Sequence, residues 1–152
     1  MKTNELLLAS DHRGMELKDK INDWICPLDE EEGTKLNIAV MHDIGVYSDK
    51  KKVDYPDIAN KFADEMSITS HGVIVCGSGF GVNIAVNRHK YIRAATCRTV
   101  KEVEMARKHN NINVLCLGAD FTSPVQAFKM VRAFFLTKFE GGRHLTRIKK
   151  LS

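Results

Sequence analysis

A thiol stands where an apolar run meets a glycine-rich one. Gly72-Val73-Ile74-Val75 leads directly into Cys76-Gly77-Ser78-Gly79-Phe80-Gly81. The apolar run reads as a buried strand. The glycines and the serine read as a tight turn, and Val82, Ile84 and Ala85 begin a helical pattern. Such a loop gathers backbone N–H groups around one point, beside the positive end of a helix dipole. That arrangement stabilises an anion, a thiolate included. The chemistry it suits is removal of a proton from a carbon next to a carbonyl, which needs a positioned base and a holder for the enolate oxygen. Cys76 could be that base and the amides of residues 77–81 the holder. A buried strand cysteine ahead of a structural turn is the plainer alternative.

Other chemistries fit the loop less well. Its pattern is GxGxG rather than GxGxxG, and Cys97-Arg98 follows the next strand where a dinucleotide site wants an acidic residue. A P-loop would need a Lys-Ser or Lys-Thr pair, and a phosphatase loop an arginine where Val82 stands.

More polar residues fall at the ends of predicted elements. Asp11-His12 follows the first apolar segment. Asp11 could cap a helix, and His12 could face the same crevice as Cys76. Asp54-Tyr55-Pro56 reads as a helix entry. His109-Asn110 closes a helix, where the dipole alone favours histidine. Arg143, His144 and Arg147 form a basic face after Gly141-Gly142. Arg143 and Arg147, four apart, could grip one phosphate. The segment 139–152 could then reach a neighbouring subunit, or simply be a solvated tail.

The elements that must position these groups alternate regularly. Strands are expected at 6–10, 38–44, 72–76, 92–97 and 114–118. A helix over 15–25 repeats Leu17, Ile21 and Trp24, and one from Pro56 carries Ile58, Phe62 and Met66. A third follows the glycine loop. Thr99-Val100-Lys101-Glu102 and Ser123-Pro124-Val125-Gln126 are capping-box openings of a fourth and fifth. This alternation predicts a single α/β domain: a doubly wound, Rossmann-like, five-stranded parallel sheet with helices on both faces. Ligands bind such sheets at the carboxyl ends of the strands. The fifth helix is apolar on more than one face, through Val125, Phe128, Met130, Val131, Phe134, Phe135 and Leu136. A surface helix needs one stripe, so a second burial partner is expected, either another subunit or the rest of this chain.

Composition narrows the function classes. The chain has 152 residues, 43% apolar and 28% charged, with a net charge of +4, which fits one soluble domain. Its longest basic block is Lys50-Lys51-Lys52, which argues against a nucleic-acid or membrane partner. No apolar stretch approaches the roughly 20 residues of a membrane helix, and the start of the chain does not read as a signal peptide. Cys26, Cys97 and Cys116 follow no zinc spacing and read as reduced, buried thiols in a cytoplasmic protein. The stretch 27–37, with Asp29-Glu30-Glu31-Glu32-Gly33, reads as an acidic, solvent-exposed connection.

Six segments together resemble a known family. They are Asp11-His12; Asp54-Tyr55-Pro56; Gly72-Val73-Ile74-Val75-Cys76-Gly77-Ser78-Gly79; His109-Asn110; Asn113-Val114-Leu115; and Glu140-Gly141-Gly142-Arg143-His144 with Arg147. In that order they are similar to type B ribose-5-phosphate isomerase, whose family includes galactose-6-phosphate isomerase subunits. The resemblance implies interconversion of ribose 5-phosphate and ribulose 5-phosphate, in the non-oxidative pentose phosphate pathway, with no metal or other cofactor. It implies a homodimer, or a dimer of dimers, whose sites each draw on two subunits. By the same resemblance Cys76 moves a proton between C2 and C1, and Ser78, where many members have threonine, assists at the enediolate oxygens. Asp11 and Tyr55 orient the sugar beside Asp54 and the amides of Gly77, Gly79 and Gly81. His109 opens the furanose ring with Asn110 nearby, while His12, Arg143 and Arg147 hold the phosphate. The chain departs from the family at Asn111, often aspartate, at Asp120, often arginine, and in a longer 27–37 connection. The change at 120 shifts phosphate binding toward Arg143 and Arg147. Galactose 6-phosphate and allose 6-phosphate are alternative substrates, and a non-catalytic phosphosugar-binding module is the alternative of another class.

Overall fold

A computed structural model describes residues 4–28, 36, 38–48 and 50–151. The elements are β1 (Asn4–Ser10), α1 (Met15–Leu28), β2 (Ile38–Asp43), α2 (Tyr55–Glu65), β3 (His71–Cys76), α3 (Phe80–Val86), β4 (Ala94–Thr96), α4 (Val100–Asn110), β5 (Val114–Gly118), α5 (Pro124–Leu136) and α6 (Arg143–Ile148). The five strands are all parallel, in the order β2-β1-β3-β5-β4. The order reverses direction between β1 and β3, so the crevice for a ligand opens beyond the carboxyl ends of those two strands.

Alternation along the strands builds the two covered faces. Leu6, Leu8, Val73, Val75, Leu115 and Leu117 pack with Ile21 of α1, Val103 of α4 and Met130 and Phe134 of α5. Leu7, Ala9, Ile74 and Cys116 point the other way, onto Phe62 of α2 and Val82 and Val86 of α3. The Phe62 ring fills the space that a side chain at Gly72 would need. Buried Lys18 on α1 pairs with Asp43 at the end of β2, 2.5 Å, and with Asp19, 2.8 Å. That pairing anchors the start of the loop that leads to α2. Among the described residues no helix is long and apolar enough to cross a membrane.

Several expectations are corrected. α1 runs to Leu28 rather than residue 25, continuing through Pro27 at the cost of one i→i−4 hydrogen bond in its last turn. Of the expected exposed connection 27–37, Pro27 and Leu28 therefore belong to the helix and Leu36 is buried against the α1 face. Residues 29–35 and 37 lie outside the described residues. β4 starts later than residue 92 because side-chain amides take over its amino end, and it ends at Thr96. Asn87 Oδ1 accepts from Ala94 N–H and Asn113 Oδ1 from Arg93 N–H.

The box opening α4 is complete, with Thr99 Oγ1 accepting from Glu102 N–H and Glu102 Oε2 from Thr99 N–H. At α5 Ser123 Oγ accepts from Gln126 N–H, but the Gln126 amide donates to the Arg98 carbonyl instead of closing the box. The surplus apolar surface of α5 is largely satisfied within the chain. Phe128 stacks on Trp24 of α1, with centroids 4.9 Å apart, and Phe135 packs on His71 and Phe134.

His71, wedged against both phenylalanines, has an unpartnered, buried Nδ1. Burial, reinforced by the Arg107 cation, lowers its pKa from 6.5 to about 4. The folded chain thus holds it neutral while the unfolded chain takes up the proton first. Its contribution is intact above pH 6.5 and is lost as pH falls through 4, about 3 kcal/mol at most. Urea midpoints should drop across that window in the wild type and much less in His71→Leu. An equal drop in both would assign the acid sensitivity elsewhere.

Candidate active site

β1 and β3 deliver the first functional groups side by side. Asp11 N–H donates to the Val75 carbonyl, 3.1 Å, one residue before Cys76. A side chain at Gly14 would collide with the same carbonyl, so the turn after β1 lies directly on β3. Asp11 Oδ1 accepts from the Arg13 and Gly14 amides, 2.9 Å each, which holds the turn shut. His12 Nδ1 lies 3.3 Å from both Val53 N and Val53 O. In the tautomer that accepts the Val53 N–H, Nε2 carries the proton and can donate to an anion.

The glycine loop then wraps the thiol. Cys76 Sγ accepts the Gly79 N–H at 3.1 Å. Gly79 has φ +81°, where any side chain would be strained, and this turn aims its amide at the sulfur. Ser78 Oγ accepts from Phe80 N–H, 3.3 Å. The Cys76 and Gly77 carbonyls accept from the Ala119 and Asp120 amides, 2.9 Å each, which ties the loop after β5 to the crevice. The Tyr55 ring lies over Gly81, so close that a Cβ there would stand 2.8 Å from its Cζ. Asp54 beside it is the exposed N-cap of α2, without a side-chain capping bond. Asp11, His12, Tyr55, Cys76, Ser78, Gly77, Gly79 and Gly81 therefore gather around one crevice.

The remaining predicted residues lie at the opposite end of the sheet. α4 starts beside the carboxyl end of β4 and runs 11 residues toward the amino end of β5, a length of about 16 Å. His109 and Asn110 end it there. Buried Arg107 holds the chain just past the helix: its Nη1 donates to the Ile112 carbonyl and to Asn111 Oδ1, 3.0 Å. Asn111 adopts φ 45° as the C-cap of α4, a left-handed conformation that asparagine tolerates well. α6 returns to this end: the Glu140 amide donates to the Lys108 carbonyl, 3.1 Å, and His144 stacks on His109, with centroids 4.4 Å apart and planes at 8°. His109, Asn110, His144, Arg147, Ile148 and Leu151 line a cavity of about 280 Å³. Arg143, one turn earlier on α6, is exposed outside that lining.

The model of the ribose/galactose isomerase family matches residues 6–151. This chain belongs to the ribose/galactose isomerase family. It is 40% identical to a putative sugar phosphate isomerase of Rickettsia typhi over 153 aligned residues, 99% of each chain. Its fold is similar to that of ribose 5-phosphate isomerase B from Anaplasma phagocytophilum, with a TM-score of 0.87 at 38% identity, covering 100% of this chain and 99% of the other. It is also similar to ribose-5-phosphate isomerase B from Mycoplasma genitalium, solved with bound ribulose 5-phosphate. There the TM-score is 0.84 at 32% identity, covering 99% and 95% of the two chains.

For a member of this isomerase family, the thiols divide clearly. Burial pushes the Cys97 pKa up to about 12, helped by Glu102, and raises that of wholly buried Cys116 well above the ordinary thiol value, helped by Cys76 and Cys97. Both fit the inert, reduced reading. The Cys26 side chain lies outside the described residues. Among the described residues, His109, Glu140 and His144 bring potential metal-ligand atoms within 4.8 Å of one another. Their geometry is poor for an ion, because imidazole lone pairs lie in the ring plane and two parallel stacked rings do not converge on one point.

Sequence reasoning missed two features of the site. It set His144 on a basic face with Arg143 and Arg147, whereas the ring is buried against His109. Burial, then the charge of His109 and the neighbouring arginines, hold its pKa below the ordinary imidazole value. It also passed over Arg13, whose guanidinium pairs with Asp120 across the crevice. The readable signal was opposite charges just past two strand ends on the same edge of the sheet.

Proposed function

We propose that the chain interconverts ribose 5-phosphate and ribulose 5-phosphate through a cis-enediolate, at a site completed by a second copy of the chain. The observation that carries this reading is the Cys76 sulfur held by the Gly79 amide at the switch point of the sheet. The ligand of the Mycoplasma genitalium relative supports the choice of substrate.

With the open-chain aldose bound, the Cys76 thiolate takes the C2 proton. The electron pair moves into a C1–C2 double bond and the aldehyde oxygen becomes the enediolate oxygen, stabilised by the loop amides. The thiol returns the proton to C1 on the same face. The hydroxyl proton passes from O2 to O1 with the help of Ser78, which leaves a carbonyl at C2. Asp11 and Tyr55 orient the sugar hydroxyls, and His12 meets the phosphate. His109 of a second copy, with Asn110, opens the furanose ring, and Arg143 and Arg147 of that copy close on the phosphate. The reason for a second copy is geometric: Cys76 and His109 occupy opposite ends of one sheet. Binding energy from the remote phosphate then positions the reacting carbons.

The direct test is proton NMR of the protein with ribose 5-phosphate in D₂O containing EDTA. Ribulose 5-phosphate should form. Measurable ligand binding without conversion would sink the reading and turn attention to six-carbon phosphates and to a binding module. A second expected result concerns Arg147→Ala. Loss of one charged hydrogen-bonding group should raise KM about tenfold or more at nearly unchanged kcat. Steady-state kinetics check it, and a fall in kcat at constant KM would contradict a phosphate-binding role.

A further inference from the structure

We propose that Arg13 is a specificity-determining ligand for the phosphate group of the substrate, an assignment that rests on the sugar-phosphate reading above. Arg13 follows Asp11-His12 in the turn after β1, and its guanidinium lies against the glycine loop. A Cβ built at Gly77 would stand 2.6 Å from Arg13 Cζ, 2.7 Å from Nη1 and 2.8 Å from Nε. The absence of a side chain at 77 is what lets this cation lie beside Cys76.

Asp120 fixes it there. Arg13 Nη2 donates to Asp120 Oδ2 at 2.5 Å, and the Asp120 amide donates to the Gly77 carbonyl at 2.9 Å. The three residues form one bracket from the loop after β1, across the thiol loop, to the loop after β5. The pair is 58% and 43% exposed, and exposed pairs contribute little to stability. Positioning explains it better. A guanidinium has five N–H donors in a rigid fork. Among the described residues, no protein acceptor meets Nε or Nη1 of Arg13. Those donors lie at the mouth of the crevice, on the same turn as the His12 ring. A phosphate monoester beyond Cys76 would take them bidentately while Asp120 keeps the third.

The pairing also accounts for the departure at residue 120. Family members often place an arginine on the loop after β5. Here that loop carries the carboxylate and the opposite loop supplies the guanidinium. The crevice keeps a cation from the Cys76-bearing subunit, delivered from the other side.

The test has a catalytic arm and a binding arm. Wild type, Arg13→Ala, Arg13→Lys and Lys20→Ala are compared for ribose 5-phosphate turnover and, separately, for inorganic phosphate binding by ³¹P NMR titration. Lys20 is an exposed lysine paired with Glu16 on α1 and serves as a control for loss of one charge. Arg13→Ala should raise KM about tenfold at nearly constant kcat and weaken inorganic phosphate to a similar degree. Arg13→Lys should recover part of both, and Lys20→Ala should change neither. Unchanged KM and phosphate affinity in Arg13→Ala overturn the proposal, as does an equal loss in Lys20→Ala. If the wild type fails to turn over the sugar phosphate, the isomerase reading falls. The phosphate titration still decides whether Arg13 is an anion ligand.

Discussion

Cys76→Ala should lower kcat for ribose 5-phosphate by about 10²–10⁴-fold, the range expected when a positioned general base is removed, and leave KM within a few-fold. The alanine keeps the loop, its amides and the crevice. It removes only the atom that accepts the Gly79 N–H. Cys76 is buried, so no bulk-solvent base reaches the C2 proton in its place. The split between kcat and KM separates a base from a structural thiol, because a cavity-forming substitution that loosened the loop would also weaken binding. Iodoacetamide gives an independent reading. It should inactivate the wild type, with ribose 5-phosphate protecting, while Cys97 and Cys116 stay unmodified because burial keeps both protonated. Turnover by Cys76→Ala at the wild-type rate would remove the thiol from the mechanism.

Much of the fold was legible because its signals are local and repeated. The run 72–76, the Thr99 box and Pro124 after Ser123 each mark an element boundary through the chemistry of one turn. The crevice residues were legible for a related reason. In a doubly wound sheet the chain's first polar residues after a strand fall at one edge, so Asp11-His12 and Cys76 had to be neighbours once β1 paired with β3. What escaped depends on contacts between distant segments. Arg13 and Asp120 are 107 residues apart, and neither residue type is unusual after a strand. His144 looked like part of a charged tail because its burial is created only when α6 folds back on α4. The apolar excess of α5 was visible, but its partners, Trp24 and His71, come from an earlier helix and a strand start that no pattern within α5 identifies.

Mixing two inactive variants should restore activity. Cys76→Ala lacks the proposed base, and a His109→Ala/Arg147→Ala double variant lacks the ring-opening and phosphate groups at the other end of the sheet. Each homodimer then has two defective sites. In a heterodimer, one site collects both sets of lesions and the other collects neither. With free exchange of equal amounts, about a quarter of all sites are intact, by the two-fold symmetry of an isologous pair, so about a quarter of wild-type kcat should return at saturating substrate. The geometry leaves little room for another outcome if both groups act on one sugar. His109 ends a helix about 16 Å long that starts at the edge bearing Cys76, and a pentose phosphate cannot span the sheet. Native mass spectrometry of the mixture establishes that heterodimers formed. Heterodimers without recovered turnover would confine the reaction to one chain. The second cavity, with His109, Asn110 and Arg147, would then need a separate explanation.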